Sequence, residues 1–191
     1  MRSLFCGPRA SLFLWFYRPL ARLLLFLRKD PPKVPIPDSP RILICCFGSL
    51  GDVFLACSFL DLLQKAWPTG QISFLCESAS IHALQEQTSL VRIHKVPCWM
   101  HQSKIRSLAL WLSYSCFLYT KVSKEIKSCS YDISFDLHPF FPNALPIVRR
   151  ARIPRRVAFA TYGFDIWCTD PVPFPSSWNY LPLLYPLLLK P

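Results

Sequence analysis

The stretch that most constrains the fold begins at Arg41. Arg41-Ile-Leu-Ile-Cys-Cys-Phe47 is a continuous apolar run without period-two alternation, the pattern of a strand buried on both faces of a parallel sheet. It passes through Gly48-Ser-Leu-Gly-Asp52 into Val53–Trp67. There Val53, Ala56, Cys57, Leu60, Leu63 and Trp67 share one helical face, with Asp61, Gln64 and Lys65 opposite. Pro68-Thr-Gly70 stops that helix. A buried strand feeding an amphipathic helix through a glycine-bearing turn is the first half of a βαβ unit.

The alternation continues. Gln71–Cys76 reads as a second strand, Ala79–Gln87 as a short helix and Leu90–Val96 as a third strand. A longer helical segment is expected from Ser103 to about Lys127. A fourth strand follows in Tyr131-Asp-Ile-Ser-Phe-Asp-Leu137, then a short helix in Asn143–Arg150 and a fifth strand in Arg155-Arg-Val-Ala-Phe-Ala160. The tail from Pro171 is proline-rich, so little helix is expected before Leu183. These elements imply an α/β fold, a Rossmann-like doubly wound parallel sheet. With 191 residues, 52% of them hydrophobic, the chain can bury a core. A disordered solvating polymer is excluded, and the length suits one ordinary domain or half of a two-domain protein.

Residues 1–40 read differently. In the first 33 residues Arg2, Arg9, Arg18, Arg22, Arg28, Lys29 and Lys33 lie in and around the apolar stretch Ser11–Arg28, with Asp30 the sole acid. A membrane-spanning helix needs about 20 largely uncharged apolar residues, and Arg18, Pro19 and Arg22 interrupt this one. Ser11, Arg18, Arg22 and Lys29 recur at steps of four and seven, leaving a wide face of Leu, Phe and Trp. The pattern favours a basic amphipathic helix lying in an anionic membrane surface. A cleaved signal fits less well, because no clean small-residue cleavage site follows and Pro31-Pro-Lys-Val-Pro-Ile-Pro37 reads as a stiff linker. A helix packed against its own domain fits the same pattern. The expected division is an arm and linker over residues 1–40 and a Rossmann-like domain with a proline-rich tail over 41–191.

The net charge of +11 calls for an anionic partner: nucleic acid, an acidic membrane or a phosphorylated substrate. Nucleic acid is disfavoured, because the most basic region is interleaved with bulky aliphatics and no RRM, KH or zinc-finger pattern occurs. The nine cysteines are an odd number, and adjacent Cys45 and Cys46 point to opposite faces of a strand, so reduced thiols are expected. No CxxC pair occurs and the histidines have no zinc-type spacing, so no structural metal is expected.

Doubly wound sheets place ligands at strand–turn–helix junctions, where glycines let a ligand approach the backbone and the helix offers unpaired N–H groups. Gly48-Ser-Leu-Gly-Asp52 is neither GxGxxG nor a Walker loop, so phosphate cradling does not follow from it. Asp52 has two readings, a helix cap or a functional carboxylate, and composition alone favours the cap.

The run Arg41–Val53, a helix ending in Trp67-Pro68 and then Ile72-Ser-Phe-Leu75 together resemble the opening of glycosyltransferase family 9, the heptosyltransferases of lipopolysaccharide core assembly. Tyr131-Asp-Ile-Ser-Phe-Asp-Leu-His138 and Arg155-Arg-Val-Ala-Phe159 resemble later landmarks of that family. The resemblance implies the amino-terminal, acceptor-side half of a GT-B architecture, two Rossmann-like domains facing across a cleft. It implies an inverting transfer in which Asp52 is the catalytic base, taking the proton of an acceptor hydroxyl as that oxygen attacks the anomeric carbon of a nucleotide-activated sugar. Gly48, Ser49, Leu50, Gly51, His138, Arg155 and Arg156 are the accompanying candidates for substrate binding. The donor would be a nucleotide sugar such as ADP-heptose, with no further cofactor, and the acceptor a lipopolysaccharide core or another lipid-linked saccharide. The enzyme would lie on the inner face of the cytoplasmic membrane. Ser58 stands where the family usually has proline. The family's donor-binding half, expected in a second domain or a separate chain, has no counterpart in these residues.

Other candidates carry competing readings. Arg149, Arg150, Arg152, Arg155 and Arg156 could contact an anionic acceptor or form a solvated surface. Lys121, Lys124 and Lys127 form a stripe on one helix. His138 sits where cleft residues occur, although a lone histidine is more often structural. Asp132 and Asp136, four apart in the expected fourth strand, would share a face. The alternative to an enzyme is a non-catalytic, membrane-peripheral Rossmann-like domain that binds a saccharide or a partner protein.

Overall fold

The structure is a computed structural model and describes residues 32–96, 120–139, 144–161, 164–175 and 181–189. Six strands, β1 (Arg41–Cys46), β2 (Gln71–Glu77), β3 (Leu90–Val96), β4 (Ile133–Asp136), β5 (Arg155–Ala160) and β6 (Asp170–Pro173), form one sheet. The order is β3-β2-β1-β4-β5-β6 and every neighbouring pair is parallel. This is the doubly wound order, with its switch point between β1 and β4.

β1 explains the two-sided burial. Ile42, Ile44 and Cys46 point into a core covered by α1 (Leu50–Ala56), α2 (Ser58–Ala66) and a 3₁₀ segment, Leu181–Leu189. Leu43, Cys45 and Phe47 point into a second core under α3, helical over residues 120–128, and α4 (Leu145–Arg150). Cys45 and Cys46 thus face opposite layers as free thiols. In the first core Phe59 meets Phe135 and Tyr185 edge-on, with ring centroids 5.2 and 5.6 Å apart. Such pairs add about 0.5–1.5 kcal/mol beyond the area they bury.

Several expectations are corrected. The single helix over Val53–Trp67 is two helices joined at Cys57, and the first begins earlier, at Leu50. The Cys57 N–H is shared between the carbonyls of Val53 and Phe54, and Leu60 N–H returns to the Cys57 carbonyl, so the turn tightens there. The helix expected over Ala79–Gln87 is a 3₁₀ segment, Ser78–Leu84. β6 was not expected, because Pro171 and Pro173 argue against a strand. It lies at the sheet edge, where proline is tolerated, with both prolines exposed and Val172 buried. Asp132 falls outside β4, at its start, and its carboxylate accepts the Arg41 N–H at 2.8 Å. Asp132 and Asp136 therefore mark opposite ends of β4 and form no pair. The amino-terminal arm and most of the expected Ser103–Lys127 helix lie outside the described residues. Among the described residues no helix is long and apolar enough to cross a membrane.

Candidate active site at the β1–β4 switch point

The turn after β1 is built around the Asp52 side chain. Ser49 caps α1 in an extended conformation, and Asp52, three residues on, accepts the Ser49 N–H at 2.7 Å and the Ser49 hydroxyl at 2.8 Å. This is the carboxylate half of a capping box. Both bonds fall on Oδ2. Gly48 lies beneath the folded-back side chain: a Cβ there would stand 2.4 Å from Asp52 Cβ and 2.7 Å from Oδ2. The Gly48 carbonyl accepts the Ser80 hydroxyl at 3.1 Å, which ties the turn to the segment after β2. Gly51 is open: a Cβ there would stand 3.8 Å from Ser49 Oγ. On the outer side of α1, Leu50 and Phe54 are one turn apart and 51% and 68% exposed.

β4 delivers the opposite wall. Asp136 is buried at its last position, paired in register with Cys45. Burial pushes its carboxyl up to about 7, although the N–H groups of His138, Ala144 and Leu145 pull the other way. Two of those bonds measure 3.1 Å from His138 and 2.7 Å from Ala144. Asp136 therefore holds the start of α4 against the end of β4. Sequence reasoning missed this role; the available signal was an Asp closing a buried strand shortly before a helix. His138 follows, half-buried. Burial lowers its imidazole below the ordinary range, while the negative charge of Asp52 pushes it back up. That second effect puts Asp52 and His138 within electrostatic reach of each other. The Cys45 and Cys46 thiols are pushed up by burial and remain protonated packing groups.

Gly48, Ser49, Leu50, Gly51, Asp52 and His138 thus come together at one end of the sheet. Arg155 and Arg156 do not, because both open β5 at the other end. The Arg155 guanidinium grips Asp170 with two bonds, 2.8 Å from Nε and 3.1 Å from Nη2, and Lys33 reaches the same carboxylate at 2.8 Å. Burial of Asp170 works against its ionisation, but its bonds to Arg155, Lys33 and Thr169 outweigh that and hold the carboxyl below its usual range. Arg156 is fully buried and donates to the carbonyls of Trp167 at 2.9 Å and Ile153 at 2.6 Å. The pair stitches β6 and its approach to the sheet. Among the described residues, no three His, Cys, Asp or Glu side chains gather as a metal site.

The fold is similar to that of known structures. A glycosyltransferase family 9 protein from Veillonella parvula superposes with a TM-score of 0.64 at 19% identity, over 79% of this chain and 40% of that one. Fold alone is what they share. ADP-heptose lipopolysaccharide heptosyltransferase II of E. coli gives 0.61 at 14% identity, over 78% of this chain and 39% of that one. The E. coli heptosyltransferase WaaC with ADP gives 0.58 at 15% identity, over 78% and 47%. The chain thus spans less than half the length of each. No family model matches the sequence, and no curated protein matches it.

Chemically, the switch point offers a carboxylate oriented by a helix start, an exposed glycine beside it in the turn and a half-buried imidazole after the neighbouring strand. A hydroxyl entering over Gly51 would meet the carboxylate as a hydrogen-bond acceptor.

Proposed function

We propose that this domain is the acceptor-side half of a heptosyltransferase-like, inverting glycosyltransferase. Asp52 accepts the proton of an acceptor hydroxyl as that oxygen attacks the anomeric carbon of a nucleotide sugar, and the nucleotide departs with the bonding electrons. The backbone of Gly48–Gly51 and the His138 side chain position the acceptor. The observation that carries this reading is the placement of Asp52 at the switch point of a doubly wound sheet, where such folds bind ligands. The donor is an ADP-activated heptose or a related nucleotide sugar, held by a second domain or a separate chain, and the acceptor is a lipopolysaccharide core or a lipid-linked saccharide. The protein works peripherally on the inner face of the cytoplasmic membrane, drawn there by its basic arm.

The test is ADP release from ADP-heptose with heptose-free lipopolysaccharide as acceptor. It is run with the chain alone and with an added donor-binding half of a family 9 enzyme. Asp52→Asn should lower turnover by about 10²–10⁴-fold with an unchanged urea midpoint. Full turnover by that variant removes Asp52 from the role of base. A second reading, a non-catalytic membrane-peripheral domain that binds a saccharide or a partner protein, is favoured by the capping role the Asp52 carboxylate already fills. Acceptor binding without turnover in either mixture selects it.

A further inference from the structure

α1 presents an apolar strip beside the Asp52 turn. Its inner positions, Val53 and Ala56, pack into the first core, and helical geometry then turns positions 50 and 54 outward. Leu50 and Phe54 stay 51% and 68% exposed, one turn apart, and Gly51 is exposed beside them. Ser58, a further turn along on that side, is polar and exposed, so the strip ends there.

The exposed charges at this end of the sheet have one sign. All six strands run the same way, so α1 starts at the end where strands finish. Here Lys95 is exposed near the end of β3 and Lys121 near the described start of α3, whereas Glu77 and Asp136 are buried and Asp52 folds back onto Ser49. The exposed acids among the described residues lie elsewhere: Asp38 ahead of β1, Asp61 within α2, Glu86 ahead of β3 and Glu125 in the second half of α3. The strand-start end has more bases, but Asp38 and Glu86 stand among them and Asp52 is nearly a strand length away.

We propose that Leu50 and Phe54 seat this corner of the domain in an anionic phospholipid surface, so that the Asp52 turn faces the membrane that carries the acceptor. This rests on the reading of a lipid-linked acceptor at Asp52 and assigns the surface that receives it. A lipid-linked hydroxyl that reaches Asp52 brings the bilayer to within the length of its saccharide, and α1 holds both the carboxylate and the two side chains that meet the headgroup layer. An aromatic and an aliphatic side chain with lysines at the same end suit shallow insertion, about 5–10 Å deep. A protein partner is disfavoured, because two side chains fall well short of the roughly 800 Å² that each partner buries in a stable interface.

The experiment measures co-sedimentation of the full chain with phosphatidylcholine vesicles, with and without phosphatidylglycerol, in about 0.1 M salt. Leu50→Ser/Phe54→Ser is compared with Val91→Ser, which removes a side chain 64% exposed at the start of β3, and melting curves check that each variant folds. Moving a large apolar side chain from water into lipid is worth about tenfold or more. The double variant should therefore lose at least about tenfold in partitioning and Val91→Ser less than twofold. Amide hydrogen exchange of the unmodified chain gives a readout that needs no variant: vesicles should slow exchange over Gly48–Cys57 and leave the start of β3 unchanged. Equal losses in the two variants, or slowed exchange confined to residues outside Gly48–Cys57, overturn the face while leaving the membrane reading intact. Failure of the unmodified chain to bind anionic vesicles overturns both. A double variant that keeps its vesicle binding but no longer associates with an added donor-binding half of a family 9 enzyme overturns lipid as the occupant.

Discussion

Gly48→Ala tests whether the turn is shaped around Asp52. Gly48 has an ordinary negative-φ or extended backbone, so its lack of a side chain is a matter of space. An added Cβ would meet Asp52 Cβ, Oδ2 and Cγ at 2.4, 2.7 and 2.8 Å, and the first of these is backbone-anchored and cannot swing aside. Relief requires α1 to move by about an ångström, judged against ordinary carbon contacts of about 3.5 Å. That shift would break the bonds from Ser49 N–H and Oγ to Asp52. Overpacking costs about 1–3 kcal/mol and loss of a cap about 1 kcal/mol, so the expected loss is about 2–4 kcal/mol, read from urea midpoints. The decisive comparison is the same substitution in an Asp52→Gly background. The clashing atoms are then gone, and the cost of Gly48→Ala should fall below about 1 kcal/mol. An equal cost in both backgrounds refutes the reasoning, as does a Gly48→Ala protein as stable as its parent.

The neighbouring glycine should behave oppositely: Gly51→Ala, with its Cβ in ordinary contact at 3.8 Å, should stabilise α1 by about 0.5–1 kcal/mol. Reduced acceptor binding by this more stable variant would mark Gly51 as a point of close approach, and unchanged binding would leave it a helix residue. The pH dependence of stability should carry the mark of Asp136, whose carboxyl titrates at about 7 in the folded protein because it is buried. The folded state then holds this proton more tightly than the unfolded chain. The contribution is complete below about pH 4 and lost as pH rises through about 7, at up to roughly 1.4 kcal/mol per pH unit between them. Urea midpoints from pH 4.5 to 8 should show that decline, and Asp136→Asn should flatten it; an identical slope in the variant would assign the titration elsewhere.

The legible parts of this fold were those set by short-range pattern. β1, β2 and β5 could be read because a strand buried on both faces leaves a largely apolar run bounded by turn signals, and the Gly48–Asp52 turn because its glycines punctuate the change of period. β6 was illegible because its prolines are tolerated only at a sheet edge, and edge position belongs to the assembled sheet. The role of Asp136 was missed for a similar reason. Its partners, the N–H groups of Ala144 and Leu145, are brought to it by tertiary packing, and no periodicity announces a cap that reaches across a connection. The break at Cys57 depends on one shared N–H, too small a feature for a helical wheel to register.

Arg155 shows most clearly why residue type could not locate the site. The sequence offers a basic pair leading into a strand, and an anionic acceptor makes such a pair attractive as a ligand. In a parallel sheet, however, the first residue of every strand lies at the end remote from the ligand crevice. Arg155 and Ala160 bound β5, and five steps of about 3.3 Å separate them by about 16 Å. β4 pairs Ile133 with Arg155 and Asp136 with Ala158, so the crevice beside Asp136 and His138 lies at the Ala160 end. A hydroxyl within hydrogen-bond distance of Asp52 is therefore nearly a strand length from the guanidinium, well beyond the reach of an arginine side chain. The Asp170 carboxylate already occupies that guanidinium at 2.8 and 3.1 Å. The arginine secures the sheet edge on which β6 depends, and cations that meet an acceptor at Asp52 must come from residues that leave strands.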